Sequence, residues 1–323
     1  MSDIQHSLIT SVQTESSDFS ELASYYSDWN AEYKQLSSGN FRGTLSCVET
    51  PLFTLINDFW TETILVRGCL PEGVRIVSAI THQTTQRYKS NLIEQGELIT
   101  AVGGTEIDYQ THGACDALAL FIPENTIESF LKRTGRIAAW SEKQEVLIPK
   151  SSFQKAIQTG MRWKDCLTRL NEAEQLPAVE QQMVINHALD EILDSITDES
   201  EREPPQRIRC KRLELAHQAK AYLENSTSYP VTLAELCNSV EANERTLLLG
   251  FSELMGCSPV SYHRAYRYNM ARTELTNSTS ETMITEVALR WGFYHLGRFS
   301  TGYRLHFGET PSETLRRGRN RSG

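Results

Sequence analysis

The chain has 323 residues, with 32 Lys/Arg against 41 Asp/Glu and a net charge of −9; that is long for one domain and comfortable for two. No stretch approaches the roughly 20 apolar residues that a membrane span needs, and Asp3, Gln5 and His6 interrupt any apolar run at the start, so a cytoplasmic protein without a signal peptide is expected. The seven cysteines (47, 69, 115, 166, 210, 237 and 257) are odd in number and form no C-x-x-C pair, which supports neither a disulfide framework nor a zinc site and is consistent with reduced thiols.

Residues 1–40 are polar and Ser/Thr-rich. Within them Phe19, Leu22, Tyr25, Tyr26, Trp29 and Tyr33 recur at helical steps, predicting a helix near 18–36 after a mobile start. Over 41–122 the period shortens. FRGTLSCVE, FTLINDFWTETILVRGCL, RIVSAITHQ, LITAVGGTEIDYQTHG and ALALFIP read as short strands, punctuated by Pro51, Pro71-Glu72-Gly73, Gly96 and Gly103-Gly104. Many short strands with glycine turns predict a sandwich or small barrel of the jelly-roll or cupin type, with room for one small molecule. Trp60, Arg67, Arg87, Tyr88 and His112 are candidates to line it. His82 and His112 stand alone, without an H-x-H pair, so no metal site is expected. A Gly-rich phosphate loop, a G-x-S-x-G elbow and a recognisable Cys/His pairing are also missing; no catalytic residue, and therefore no enzyme, is predicted.

Three helices follow, over 124–134, 152–171 and 178–197. In the last, Val179, Met183, Leu189, Ile192, Leu193 and Ile196 form an apolar stripe interrupted by Asn186 or His187. Such a stripe packs on its own domain or forms a dimer face. Residues 198–210 (DESEREPPQRIRC) are charged, apolar-poor and carry Pro204-Pro205, the composition of a linker stiffened at the prolines. The charge changes sign across it. Residues 206–323 hold 16 Lys/Arg, most of them arginine, against 11 Asp/Glu, a net of +5; residues 1–205 hold 16 against 30, a net of −14. A basic carboxyl domain on an acidic body suits a reader of nucleic acid with an appended sensor.

Residues 211–224 predict a helix with Leu213, Ala216, Ala219, Tyr222 and Leu223 inward. Thr232, with Glu235 three residues on, predicts a capping box at the start of the next helix. Further on, RWGFYHLGRFSTGYRLHFGETPSETLRR (290–317) reads as a helix end, a turn at Gly292 and a second helix. Leu296, Phe299, Tyr303 and Phe307 occupy one face of that helix; His295, Arg298, Thr301 and Arg304 occupy the other; Gly308 and Pro311 terminate it. This is a helix-turn-helix with a basic, hydrogen-bonding surface that fits a major groove. Displaced by 52 without a gap, residues 231–264 repeat the pattern: Gly256 falls on Gly308, Pro259 on Pro311, Phe251 on Tyr303, Leu247 on Phe299, Leu236 on Ala288 and Val240 on Gly292. Between the copies, 258–277 predicts a long helix bearing Arg264, Arg267 and Arg272, which meet either phosphate or solvent.

Two helix-turn-helix units joined by one helix resemble the DNA-binding domain of the AraC/XylS family of transcription regulators, over roughly 212–319. The motifs that carry the resemblance are Ile284-x-Glu286-Val287-Ala288, Gly292-Phe293, Phe299-x-x-x-Tyr303 and Phe307-Gly308-x-x-Pro311-Ser312. The first unit departs from the family, which usually shows polar residues where this chain has Leu248, Leu249 and Gly250. The organisation expected is α+β. An arm and helix (1–40) precede a cupin-like β-sandwich with flanking helices for effector binding and dimerisation (41–200). A linker (201–211) leads to an all-α DNA-binding domain (212–319) with units at about 232–256 and 284–308. Arg298 and Thr301, then His295 and Ser300, are the candidates for reading bases in the second unit, and Arg304 for touching phosphate; Arg245 and Thr246 are their counterparts in the first. The implied partners are promoter duplex, a small-molecule effector, RNA polymerase and a second copy of the chain. The alternative is a helical protein-interaction module that does not bind DNA, which the leucines at 248 and 249 favour.

Overall fold

The structure is a computed structural model that describes residues 7–25, 31–80, 86–89, 91–93, 97–136, 145–149, 153–197, 211–226, 229–279 and 281–322. The elements in chain order are β1 (Thr10–Ser16), α1 (Phe19–Ala23), β2 (Glu32–Gln35), β3 (Gly43–Glu49), β4 (Thr54–Trp60), β5 (Ile64–Cys69), β6 (Val74–Ile80), β7 (Gln86–Tyr88), β8 (Asn91–Ile93), β9 (Glu97–Val102), β10 (Glu106–Thr111) and β11 (Cys115–Pro123). Then come α2 (Glu124–Thr134), β12 (Glu145–Pro149), α3 (Phe153–Ala173), α4 (Ala178–Thr197), α5 (Lys211–Asn225), α6 (Leu233–Ser239), α7 (Glu244–Met255), α8 (Pro259–Thr276), α9 (Ile284–Arg290), α10 (Leu296–Phe307) and α11 (Pro311–Ser322). The chain divides into two units. One takes residues 1–33, 42–61 and 65–206, the other 34–41, 62–64 and 207–323.

The first unit carries two antiparallel sheets, ordered β1-β3-β4-β11-β6-β9-β12 and β2-β5-β10-β7-β8. β11 shows how the larger sheet is used. Its side chains alternate between faces, so Leu118, Leu120 and Ile122 join Leu55 and Val77 in a core with Phe130 of α2, Trp163 and Leu170 of α3 and Ile192 of α4. Ala117, Ala119 and Phe121 point the other way, toward the second sheet. The helices at 124–134, 152–171 and 178–197 appear close to their predicted bounds. The stripe on α4 is divided: Leu189, Ile192, Leu193 and Ile196 are buried on the unit's own core, while Val179 and Met183 are 72% and 61% exposed.

The helix expected near 18–36 is a correction. Among the described residues of that stretch only α1 is an α-helix, five residues capped by the Asp18 carboxylate accepting from the Ser20 amide, and Tyr33 lies in β2; Tyr26 and Trp29 fall outside the described residues. Of the described residues in that spacing, Phe19 and Leu22 are buried, whereas Tyr25 is 45% exposed and Tyr33 lies on a strand. The expected start is also ordered differently, since β1 pairs with β3 from Thr10↔Glu49 to Ser16↔Gly43. The linker at 198–210 lies outside the described residues.

The second unit is helical. Ala216, Leu223, Leu236, Leu247, Phe251 and Tyr262 build one core from α5 to α8, and Phe293, Phe299, Tyr303 and Phe307 stack in a chain of rings with Tyr268 of α8. α8 is buried on nearly every side, as an axis between two modules must be. That corrects two of its arginines. Arg267 is buried, lies over the Phe293 ring and donates to the carbonyls of Trp291 and Gly292 at 3.2 and 3.3 Å. Arg272 is buried over Phe307 and pairs with Glu309 at 3.1 Å. Both tie α8 to the second module; Arg264 alone of the three is exposed. Residues 34–41 cluster with this unit, where the Gln35 amide accepts and donates bonds with Asn269 and the His306 ring reaches the Gln35 carbonyl at 3.0 Å.

Candidate nucleic-acid interface

Each helix-turn-helix is set by local chemistry. The predicted capping box forms at the start of α6: the Thr232 hydroxyl accepts from the Glu235 amide and the Glu235 carboxylate accepts from the Thr232 amide. Asn243 caps α7 by accepting from Thr246. Gly256 and Gly308 close α7 and α10 in the left-handed conformation, at φ +68° and +75°, where a Cβ is penalised. The ungapped repeat needs adjusting, however. α7 and α10 are offset by 52, but α6 and α9 are offset by 51, because the turn of the second unit is one residue longer. The residue equivalent to Gly292 (φ +72°) is therefore Glu241 (φ +51°), and not Val240. Val240 corresponds to Trp291, and each is the C-cap of its helix.

On α10, Phe299 and Tyr303 are buried while His295, Arg298, Ser300, Thr301 and Arg304 are exposed. Leu296, expected on the packed face, is 39% exposed because it sits in the first turn, ahead of the ring stack. The exposed face adjoins a groove of about 700 Å³ whose lining joins His295, Arg298 and Thr301 to Arg264 of α8, Tyr294 and Leu305. Sequence spacing alone did not bring Arg264 to that place; the crossing of α8 and α10 does. No carboxylate lies on α10, so its surface is cationic along its length.

α7 differs. Arg245 is exposed and Thr246 half-buried, but Glu244 and Glu253 share the exposed surface, and Glu253 accepts from Arg212 at 3.0 Å. Leu248 is half-buried and Leu249 is 47% exposed. Gly250 packs so closely on α5 that a Cβ would come within 2.4 Å of the Arg212 carbonyl oxygen. That contact explains glycine where a polar residue was expected.

The two helix pairs, with their paired recognition helices and a buried connecting helix, define a double helix-turn-helix DNA-binding domain. Residues 236–317 match the family model of a helix-turn-helix domain. The chain is 38% identical over 96 residues to the probable thc operon regulatory protein of Rhodococcus erythropolis, covering 29% of each chain. It is 38% identical over 95 residues to XylDLEGF operon transcriptional activator 2 of Pseudomonas putida, covering 29% of this chain and 60% of that one. A crystal structure of a probable AraC family transcriptional regulator from Rhodopseudomonas palustris matches 33% of this chain and 98% of its own, at 33% identity and a TM-score of 0.31. The carboxyl-terminal domain is of the AraC/XylS type. The chain spans less than two thirds of the length of either curated relative.

Between the sheets of the first unit lies a cavity lined by Tyr33, Asp58, Trp60, Tyr88, Tyr109 and Phe121 among others. Of the sequence candidates, Trp60 and Tyr88 line it; Arg67, Arg87 and His112 do not. Arg67 is held by Asp108 at 3.0 Å. Burial lowers the His112 imidazole, with Arg87 adding to the effect.

Proposed function

We propose that the whole chain is a sequence-specific DNA-binding transcription regulator controlled by a small-molecule effector held in its first unit. The observation that carries this reading is α10: a helix packed on one side by Phe299 and Tyr303 and free of carboxylates on the other, with Arg298, Thr301 and Arg304 exposed. In this reading Arg298 and Thr301, with His295 and Ser300, read base edges, and Arg304 and Arg264 contact phosphate. Arg245 and Thr246 give the first helix-turn-helix a narrower contact. The protein acts as a homodimer, and RNA polymerase is its further partner. Both curated relatives described above are named as operon regulators, which supports a regulatory and not a catalytic role.

The test is a salt titration of duplex binding by the full chain. Each phosphate neutralised contributes roughly −0.9 to the slope of log K against log salt, so a steep negative slope is expected. A flat dependence would count against DNA. It would favour a protein-interaction module instead, for which the exposed Leu249 speaks.

A further inference from the structure

The first unit has two partly open chambers that share Phe121 as a lining residue. The smaller, of about 70 Å³, is the aromatic one that contains Asp58. The larger, of about 210 Å³, is lined by Phe53, Ile56 and Val74 and by one carboxylate, Glu49. An apolar cavity of about 150 Å³ takes a benzene ring, so the larger chamber has room for one. Among the described residues, neither lining contains a lysine, an arginine or a histidine. An anionic ligand would therefore meet two carboxyl groups. A cation meets the reverse: a carboxyl 7% exposed and four electron-rich rings, the setting in which ammonium groups are held.

Resting on the reading that this unit holds an effector, we propose that the effector is a cationic amine with an apolar tail. Its ammonium group sits against Asp58 among Tyr33, Trp60, Tyr88 and Tyr109, and its tail passes Phe121 into the larger chamber. Burial, reinforced by Asp116, raises the Asp58 carboxyl well above the ordinary range. Among the described residues, the other titratable groups near it are Asp116 and Cys115 of β11, Tyr109 of β10, Tyr33 of β2 and Tyr88 of β7. Asp116 is paired with Lys164 of α3 at 2.5 Å. Burial pushes the Cys115 thiol up to about 12 and the Tyr109 phenol well above its usual range.

Titration calorimetry of the full chain, without DNA, tests this with phenethylammonium, the neutral 2-phenylethanol and the anion phenylacetate. The ammonium is expected to bind roughly tenfold or more tightly than the alcohol, and the anion not at all. Asp58→Asn, which keeps the volume, should weaken the ammonium by a similar factor. Equal binding of alcohol or anion, absence of ammonium binding at millimolar concentration, or an Asp58→Asn protein that binds the ammonium as well as its parent would overturn the proposal. Duplex binding is measured separately, so failure here and failure of the regulator reading are distinguishable.

Discussion

α7 and α10 are each 12 residues long and each stop at a left-handed glycine, yet they show water different side chains. α10 offers Arg298, Ser300, Thr301 and Arg304 with no acid; α7 offers Arg245 between Glu244 and Leu249, and its Glu253 is occupied by Arg212. Positions that pack are matched in character: Leu247 with Phe299, Phe251 with Tyr303, all buried. Repetition has kept what the core needs and let the surface diverge. On the proposed reading, sequence is read mainly by the second helix-turn-helix, and the first holds the domain on the duplex.

The largest expected effect tests the equivalence of the cores. Phe299→Ala should cost about 3–5 kcal/mol and Leu247→Ala about 2–5 kcal/mol, read as shifts of the denaturation midpoint. A loss in only one of them would break the structural pairing.

The next effect separates the two units by acid sensitivity. His306 is buried where the first unit has Leu254. Burial pushes its imidazole down to about 4, against a raising bond from Gln35 and aided by Arg264 and Arg272. The folded protein then binds fewer protons than the unfolded one between about pH 6.5 and 4, so stability is full above that window and falls as the pH drops through it. The slope is up to about 1.4 kcal/mol per pH unit. His263, also lowered to about 4 by burial and by Arg267, contributes in the same sense. His306→Leu, copying the first unit, should flatten the loss in denaturant titrations across this range; an unchanged slope would assign it elsewhere. The smallest effect concerns the turns. Glu241→Gly, copying Gly292, should add about 1 kcal/mol by removing a left-handed non-glycine residue. No rise in melting temperature would undo the alignment of the turns.

The second helix-turn-helix was legible because its signals are local: glycine and proline at the ends of a helix and rings at three- and four-residue steps. The extra residue in its turn was not, since a glutamate at φ +51° leaves no mark in sequence. Similarly, Gly250 looked like a missing polar contact until α5 was seen against it. In the first unit, strand alternation anticipated the sandwich and brought Trp60 and Tyr88 to its cavity. Asp58 and Tyr109 were missed because one aspartate or one tyrosine in a strand signals nothing until two sheets face each other. The aromatic steps from Phe19 to Tyr33 suggested a helix because spacing reports periodicity, whereas pairing with β3 decided the start of the chain.

The most direct test of unequal readers is the base preference of duplexes selected from a random pool by the parent, by Arg298→Ala and by Arg245→Ala. Arg298→Ala is predicted to lose about 1–3 kcal/mol and to relax preference at one base position, while Arg245→Ala weakens all sequences by a smaller, uniform amount. Uniform weakening by Arg298→Ala, with base preference lost instead in Arg245→Ala, would contradict the account.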